Sequence, residues 1–445
     1  MDLATRRRRT ALFLFFLIPG LSISSWVTRT PDIRDQLGAS TTQMGLILFG
    51  LSVGSMLSIL MSGPLVARFG TRPVMGVGTA LFVVSIAVIG VGTLLASAPT
   101  VTAGLVLFGI GMGGGEVAVN VDGAEVERIT GRPVLPTLHG FFSLGTVVGA
   151  CAGILCTAVE FPVEWHLGIV ALLTAGMFGY GIRAIPSGVG KAKGPRPAAG
   201  ATTEAGAAAG EPAGAVAGAP VWKDRRLLLI GGIILAMALA EGAANDWLPL
   251  LMVDGHGVDP ALGSTVYAGF AAAMTVGRFC GSFFIDRFGR APVVRASAIS
   301  AALGLTLVIF ADSAVLAGAA VCLWGLGASL GFPVALSAAG DSGPDSAARV
   351  SLVAMIGYVA FLVGPPSLGF LGDHYGLRPA MVVVLAFVAV AVFLAPAIGG
   401  RGTTTAGGSP APLVADPAPV PGSDTGLDSG QVPGPAPERR PTAEH

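Results

Sequence analysis

Ala67-Arg68-Phe69-Gly70-Thr71-Arg72-Pro73-Val74 and Asp286-Arg287-Phe288-Gly289-Arg290-Ala291-Pro292-Val293 are near copies of each other, one in each half of the chain. Each is a short charged turn set between two long apolar runs. Gly70 and Gly289 allow the backbone to reverse tightly, because glycine takes positive φ at little steric cost. The duplication implies that one unit was built twice, with the same tight loop at the same place in both copies.

The flanking runs decide the setting. The chain has 445 residues, 53% hydrophobic and 12% charged, with a mean hydropathy of +0.76. A soluble chain would carry about a quarter charged residues. Crossing a bilayer takes ~20 apolar residues, and twelve such runs fall at roughly 10–30, 42–66, 73–96, 100–122, 135–160, 165–184, 226–252, 262–285, 292–311, 314–340, 349–371 and 378–398. Hydrocarbon satisfies no backbone polar group, so the spans are helices or a closed barrel. Barrel strands alternate over ~10 residues, whereas these runs are continuous and longer, which selects helices. An all-α integral membrane protein with six plus six spans follows.

Composition also excludes. A formal net charge of zero gives no reason to expect a nucleic-acid partner. Cys151, Cys156, Cys280 and Cys322 lie within apolar spans without metal-ligand spacing, so they read as packing residues and no metal or cofactor is expected. Arg6 to Arg9 followed by Ala11 to Val27 imitates a secretory signal, but no small-residue cleavage site follows, so this is an uncleaved first helix. No cluster of ligands, or of nucleophile and base, suggests an enzyme.

Five segments are expected: a basic leader at 1–9, a six-helix bundle at 10–185, a Pro-, Gly- and Ala-rich linker at 186–225, a second bundle at 226–398 and a disordered tail at 399–445. Lys and Arg in short loops mark the cytoplasmic side. Arg6 to Arg9, Arg68, Arg72, Arg128, Arg132, Arg183, Lys191, Lys193, Lys223, Arg225, Arg226, Arg287, Arg290, Arg295 and Arg349 share one side, with both termini and the linker. Arg29, Arg34 and Arg378, mixed with Asp32, Asp35, Asp254, Asp259 and Asp373, take the other.

The repeated turn resembles the Gly-x-x-x-Asp-Arg-x-Gly-Arg loop of the major facilitator superfamily, over residues 10 to 398. The second copy holds Asp286, Arg287, Gly289 and Arg290, with its leading Gly281 displaced by one residue; the first has Ala67 where the family usually has Asp. The resemblance implies two pseudo-symmetric six-helix bundles, alternating access between them, and a cytoplasmic latch made by Arg68, Gly70, Arg72, Asp286, Arg287, Gly289 and Arg290.

Ionisable groups inside the membrane cost about 2.5–3.5 kcal/mol each and need a reason. Glu116, in Gly111-Met112-Gly113-Gly114-Gly115-Glu116, has Asn120 one turn on, on the same helical face. It reads as a proton carrier or as a packing carboxyl held by a neighbouring hydroxyl or amide. Glu241 and Asn245 repeat the spacing in the seventh span, followed by Asp246 and Trp247. His139 and Tyr358 each precede a glycine by six residues, Gly145 and Gly364, and so suggest equivalent places in the two halves. His139 is either a cavity contact or a satisfied packing residue. Trp26 and Trp247 either stack on a sugar face or belong to the interfacial aromatic belt. Arg278 is expected to support the nearby loop and pair with an acid.

Within the superfamily the chain is similar to fucose-permease-type carriers and an uncharacterised bacterial inner-membrane branch near them. Glu116 with Asn120, Glu241, Gly331-Phe332-Pro333-Val334-Ala335-Leu336-Ser337 and Thr42-Gln43-Met44-Gly45-Leu46-Ile47 carry that similarity. It implies symport of a sugar-like solute with a proton at Glu116, with Glu241 also in proton coupling and Asn120, His139, Asn245, Tyr358, Trp26 and Trp247 lining the cavity. One departure is Ser24-Ser25-Trp26-Val27-Thr28, where those carriers hold a carboxylate. Partners are then a small solute, protons and the bilayer, with the proton gradient as energy source, a monomer as the working form and the cytoplasmic membrane as location. The competing reading is export of a drug or metabolite. Against it, the fourth span lacks the exporters' Arg and Gly145-Thr146-Val147-Val148-Gly149-Ala150 lacks their proline. A non-transporting receptor, the third reading, would need a sensory domain that the low-complexity linker and tail do not offer.

Overall fold

The computed structural model describes residues 2–131, 134–191, 221–343 and 345–399. Most of the expected linker, nearly all of the expected tail, and Arg132 and Lys193 lie outside the described residues. The elements are α1 (Leu3–Val27), α2 (Thr30–Leu37), α3 (Thr41–Phe69), α4 (Thr71–Leu94), α5 (Ala98–Thr130), α6 (Leu135–Ala158) and α7 (Val163–Gly181), then α8 (Arg225–His256), α9 (Pro260–Phe288), α10 (Arg290–Phe310), α11 (Ala314–Gly340), α12 (Ser346–Tyr375) and α13 (Leu377–Leu394). Twelve of these, all but α2, are long and apolar enough to cross a membrane. No strand occurs among the described residues. The protein is a multi-pass membrane protein.

Local chemistry explains the ends. The side chain of Asp224 caps α8, accepting from the backbone of Arg226 at 2.9 Å, and Asp259 caps α9. Ser40 and Gln43 form a reciprocal capping box at the start of α3. Gly70 and Gly289 sit at φ +87° and +82° in the two repeated turns, a region closed to most side chains. The first helix differs from its expected start at residue 10. It begins at Leu3, where Asp2 accepts from the backbone of Thr5, so Arg6 to Arg9 ride inside the helix. The short α2 falls between two expected spans, in a stretch that hydropathy leaves as loop. Pro31 in its first turn, Asp32 near its start and Gly38 in the left-handed C-cap are what make it helical.

The two halves pack by one scheme. In the first, α1 lies on α6 and α7, α3 on α5, and α4 on α5 and α7. In the second, α8 lies on α12 and α13, α9 on α11, and α10 on α11 and α13. Between halves the most extensive contacts are α3 on α12 and α6 on α9, symmetry mates of each other. Equivalent glycines set the closeness. A Cβ at Gly109 would lie 2.1 Å from the Leu51 carbonyl of α3, and one at Gly325 would lie 2.6 Å from the Phe270 carbonyl of α9. Without a hydrophobic drive between helices in lipid, such small-residue contacts hold the bundle.

The face carrying the repeated turns, called the basic face below, and the far face differ. At the far face Arg34 of α2 forms an ion pair with Asp254 of α8. Thr42 donates to Asp373 at 3.1 Å, and Ser264 donates to the Thr28 carbonyl at 2.7 Å. A Cβ at Gly369 of α12 would lie 2.9 Å from the Cα of Gly45 in α3, so backbones touch there. The far face is thereby closed by contacts between halves.

Candidate functional site

A cavity of about 920 Å³ lies between the halves and reaches the basic face at Asp286 and Arg290. Its walls come from α1, α4, α5 and α6 on one side and from α8, α9, α11 and the first residue of α10 on the other. Six phenylalanines line it: Phe15, Phe16, Phe82, Phe142, Phe279 and Phe332. Between them stand the hydroxyls of Thr79, Ser143, Thr275, Ser282 and Ser337.

The charged lining is sparse and specific. Gly113 and Gly115 bring α5 against α3 and α4, where a Cβ at Gly113 would lie 2.8 Å from the Ser55 carbonyl and one at Gly78 3.0 Å from Gly115. Glu116, the next residue, faces the cavity and has no hydrogen-bond or ion-pair partner among the described residues. His139 of α6 faces it too, set edge-to-face on Phe16 with centroids 4.9 Å apart. Glu241 of α8 is paired with Arg278 of α9 at 3.0 Å. The Arg278 side chain is 46% exposed and that of Glu241 16%.

Of the residues expected in the site, Glu116, His139, Glu241, Asp286 and Arg290 line the cavity together. Asn120, Asn245, Tyr358, Trp26 and Trp247 do not. Asn245 accepts from the Tyr267 hydroxyl at 3.4 Å, and Tyr358 lies within electrostatic range of Glu116. Trp26 and Trp247 are 2% and 0% exposed. Trp26 packs on Phe108, and the Trp247 ring borders Gly369 where α3 meets α12. In this conformation they are core residues, neither stacked in the cavity nor placed in an interfacial belt.

Among the described residues, the repeated turns make no hydrogen bond or ion pair between halves. Arg290 donates to Asp341 at 2.5 Å and Arg287 lies over Phe288, all in the second half. Arg68 lies over Phe69, and the backbone after Gly70 donates from Thr71 to the Val189 carbonyl at 2.8 Å, all in the first. Asp286 has no partner among the described residues and stands at the cavity mouth.

Two residues carry more than the sequence suggests. Arg278, expected to support the loop, sits in the cavity wall; a lone arginine inside an apolar span is the signal that points there. Asp122, fully buried, accepts from Arg8 at 2.7 Å and from the Thr71 hydroxyl at 2.8 Å. It anchors the turn whose own acid position holds Ala67. Outside the spans, burial raises the Asp32 carboxyl above its usual range against the opposing pull of Arg29. The hydrogen bond from Arg349 holds Asp224 below that range.

Comparison with known proteins agrees with this architecture. The family model described as Major Facilitator Superfamily matches residues 11–351 and 235–416. An uncharacterised transporter, y4wD, of Sinorhizobium fredii is 30% identical over 384 residues, covering 86% of this chain and 96% of that protein. Among solved structures, the nucleoside transporter NupG superposes with a TM-score of 0.65 at 14% identity, covering 89% of this chain and 98% of that one. The E. coli fucose:proton symporter FucP gives 0.58 at 16% identity, with 88% and 98% covered. The repeated turn, the paired bundles and the cavity between them have one common origin: the chain belongs to the Major Facilitator Superfamily.

Proposed function

We propose that this transporter is a proton-coupled carrier of a small hydroxylated solute, working by alternating access with Glu116 as its proton site. The observation that carries the reading is the isolated carboxyl of Glu116, turned into the cavity with no partner among the described residues. A buried acid with a packing role would be held by a neighbouring donor. One free to take and release a proton as the cavity changes sides suits coupling. The basic face is cytoplasmic by its Lys and Arg content, both termini lie there, and the protein works as a monomer in the cytoplasmic membrane. The two bundles run from α1 to α7 and from α8 to α13, and the proton gradient serves in place of a cofactor. The fold neighbours named above handle a nucleoside and fucose, both hydroxylated.

Replacing Glu116 by Gln should abolish accumulation driven by a pH gradient in proteoliposomes while gradient-free solute exchange continues. Accumulation surviving in that variant would remove Glu116 from the proton path. A second reading, proton-driven export of an apolar metabolite or drug, is favoured by the six phenylalanines of the wall. Counterflow against pooled sugars, polyols and drugs separates the two by which class is exchanged.

A further inference from the structure

We propose that Arg278 is the anchor for the solute, that the solute carries a carboxylate, and that Glu241 is the internal group it displaces. This deepens the transport reading above and rests on that reading of the cavity.

Arginines that hold the fold together in this chain have a common pattern. Arg8, Arg29 and Arg349 have side chains 9%, 3% and 6% exposed. Each is engaged at its site: Arg8 with Asp122, Arg29 with Asp32 and the Phe161 carbonyl, Arg349 with Asp224 and Ser342. Arg278 breaks the pattern. Its side chain is 46% exposed to the cavity, and a single bond to Glu241 is its one hydrogen bond among the described residues. A guanidinium presents five N–H donors in a planar fork that fits a carboxylate through two parallel bonds. The bond to Glu241 uses one donor of that fork, and the side chain lines the cavity.

The pair is also poor as structure. Both members belong to the second half, so it does not hold the halves together, and the 46% exposure of Arg278 reduces what the pair contributes to stability. Across the cavity stand His139 and Phe16 of the first half, with His139 within electrostatic range of Arg278. A carboxylate on Arg278 would therefore face a donor from the other half, which lets the solute itself draw the halves together. Thr275 and Ser282 on the helix of Arg278, with Thr79 and Ser143 opposite, provide hydroxyl partners; the phenylalanines cover C–H faces. Together these select a hydroxylated monocarboxylate.

Charge fits the same class. Arg278 and Glu241 cancel, leaving Glu116 in the wall and Asp286 at the mouth to repel an anion; a proton on Glu116 removes the inner repulsion, so anion and proton would enter as a pair. The other titratable groups around the site are Tyr267 of α9, which feels Asp246 and Glu241 of α8, Tyr358 of α12, His139, and Asp286 with Arg290 at the mouth. From α11 the lining is Leu330, Phe332, Pro333, Val334 and Ser337, with no titratable group.

The test uses the full chain in proteoliposomes and three probes of one size: gluconate, glucose and glucosamine. Lactate and mandelate extend the carboxylate set. Counterflow of a carboxylate without glucose or glucosamine is expected. Arg278→Gln should weaken that carboxylate by about tenfold or more, the scale of a lost charged hydrogen-bond pair. Arg278→Lys, which keeps the charge without the fork, should recover part of the loss. Glu241→Gln should leave its binding unchanged or tighter, because it removes a competitor; a merely structural pair would weaken binding in both variants alike. Exchange of glucose or glucosamine, equal weakening by both substitutions, or no exchange of any carboxylate would overturn the proposal. The transport reading stands or falls separately, on pH-driven accumulation of whichever solute is exchanged and its loss in Glu116→Gln.

Discussion

At the scale of single residues, three acids do three different things because their surroundings differ. Asp122 is fully buried between Arg8 and Thr71. Removing it strands a buried guanidinium, so Asp122→Ala should destabilise the protein by about 3–5 kcal/mol, measured by thermal unfolding in detergent. An unchanged midpoint would mean that Arg8 finds another partner. Asp224 is half-exposed and holds its carboxyl low through Arg349. A carboxyl lowered on folding stabilises above its ordinary range, near ~3.9, and loses that contribution as pH falls through the lowered value. Asp224→Asn should therefore be less stable at neutral pH and show a shallower fall on acidification; parallel pH profiles would contradict this. Glu116 has neither kind of partner, which is why it is given the proton. Its place in the site is legible in the sequence, because a carboxylate in a glycine-rich apolar span is costly to bury and so marks a cavity or a partner. Arg278 is equally visible as a residue, but its partner on another helix is not. No local pattern states which way α9 turns relative to α8. The indoles of Trp26 and Trp247 are hidden for the same reason: the sequence locates them near span ends, and only packing shows Trp26 against Phe108 of α5 and Trp247 at the seam of α3 and α12.

At the scale of elements, the twelve spans are readable because apolar length in a membrane has one hydrogen-bonded solution. The boundary differences have local causes. The Asp2 cap and the Pro31 first turn lie in polar stretches that hydropathy assigns to loops, so the start of α1 and all of α2 are hidden from it. The contact of α3 with α12 makes a prediction of its own. Valine at Gly369 would push a branched side chain into the Cα of Gly45, 2.9 Å from the first added carbon. Gly369→Val should open the far face, raising the reactivity of a cysteine placed at Ser40 toward an impermeant thiol reagent in a background without native cysteines. Reactivity equal to that of the unsubstituted protein would mean that the helices separate without strain.

At the scale of the whole molecule, symmetry is in the packing and function is in its breaking. The two halves use the same helix pairs, yet Glu116 in the first corresponds by glycine spacing to Phe332 in the second. Ala67 in the first turn likewise corresponds to Asp286 in the second. The far face is held by Arg34 with Asp254 and Thr42 with Asp373, one residue of each pair from each half. Arg34→Asp should favour opening of that face, and adding Asp254→Arg should restore closure; no recovery in the double variant would deny a direct role to the pair. If proton binding drives the exchange of access between the two faces, distances across each face must follow pH. Spin labels would be placed at Gln36 and His374 on the far face, and at Ile129 and Ser346 on the basic face, again without native cysteines. Pulsed-resonance distances would then be followed across pH in the wild-type background and in Glu116→Gln. One pair should lengthen as the other shortens, and the substitution should remove this response. Distances that ignore pH, that move in the same sense, or that respond equally in Glu116→Gln would contradict proton-driven exchange of access.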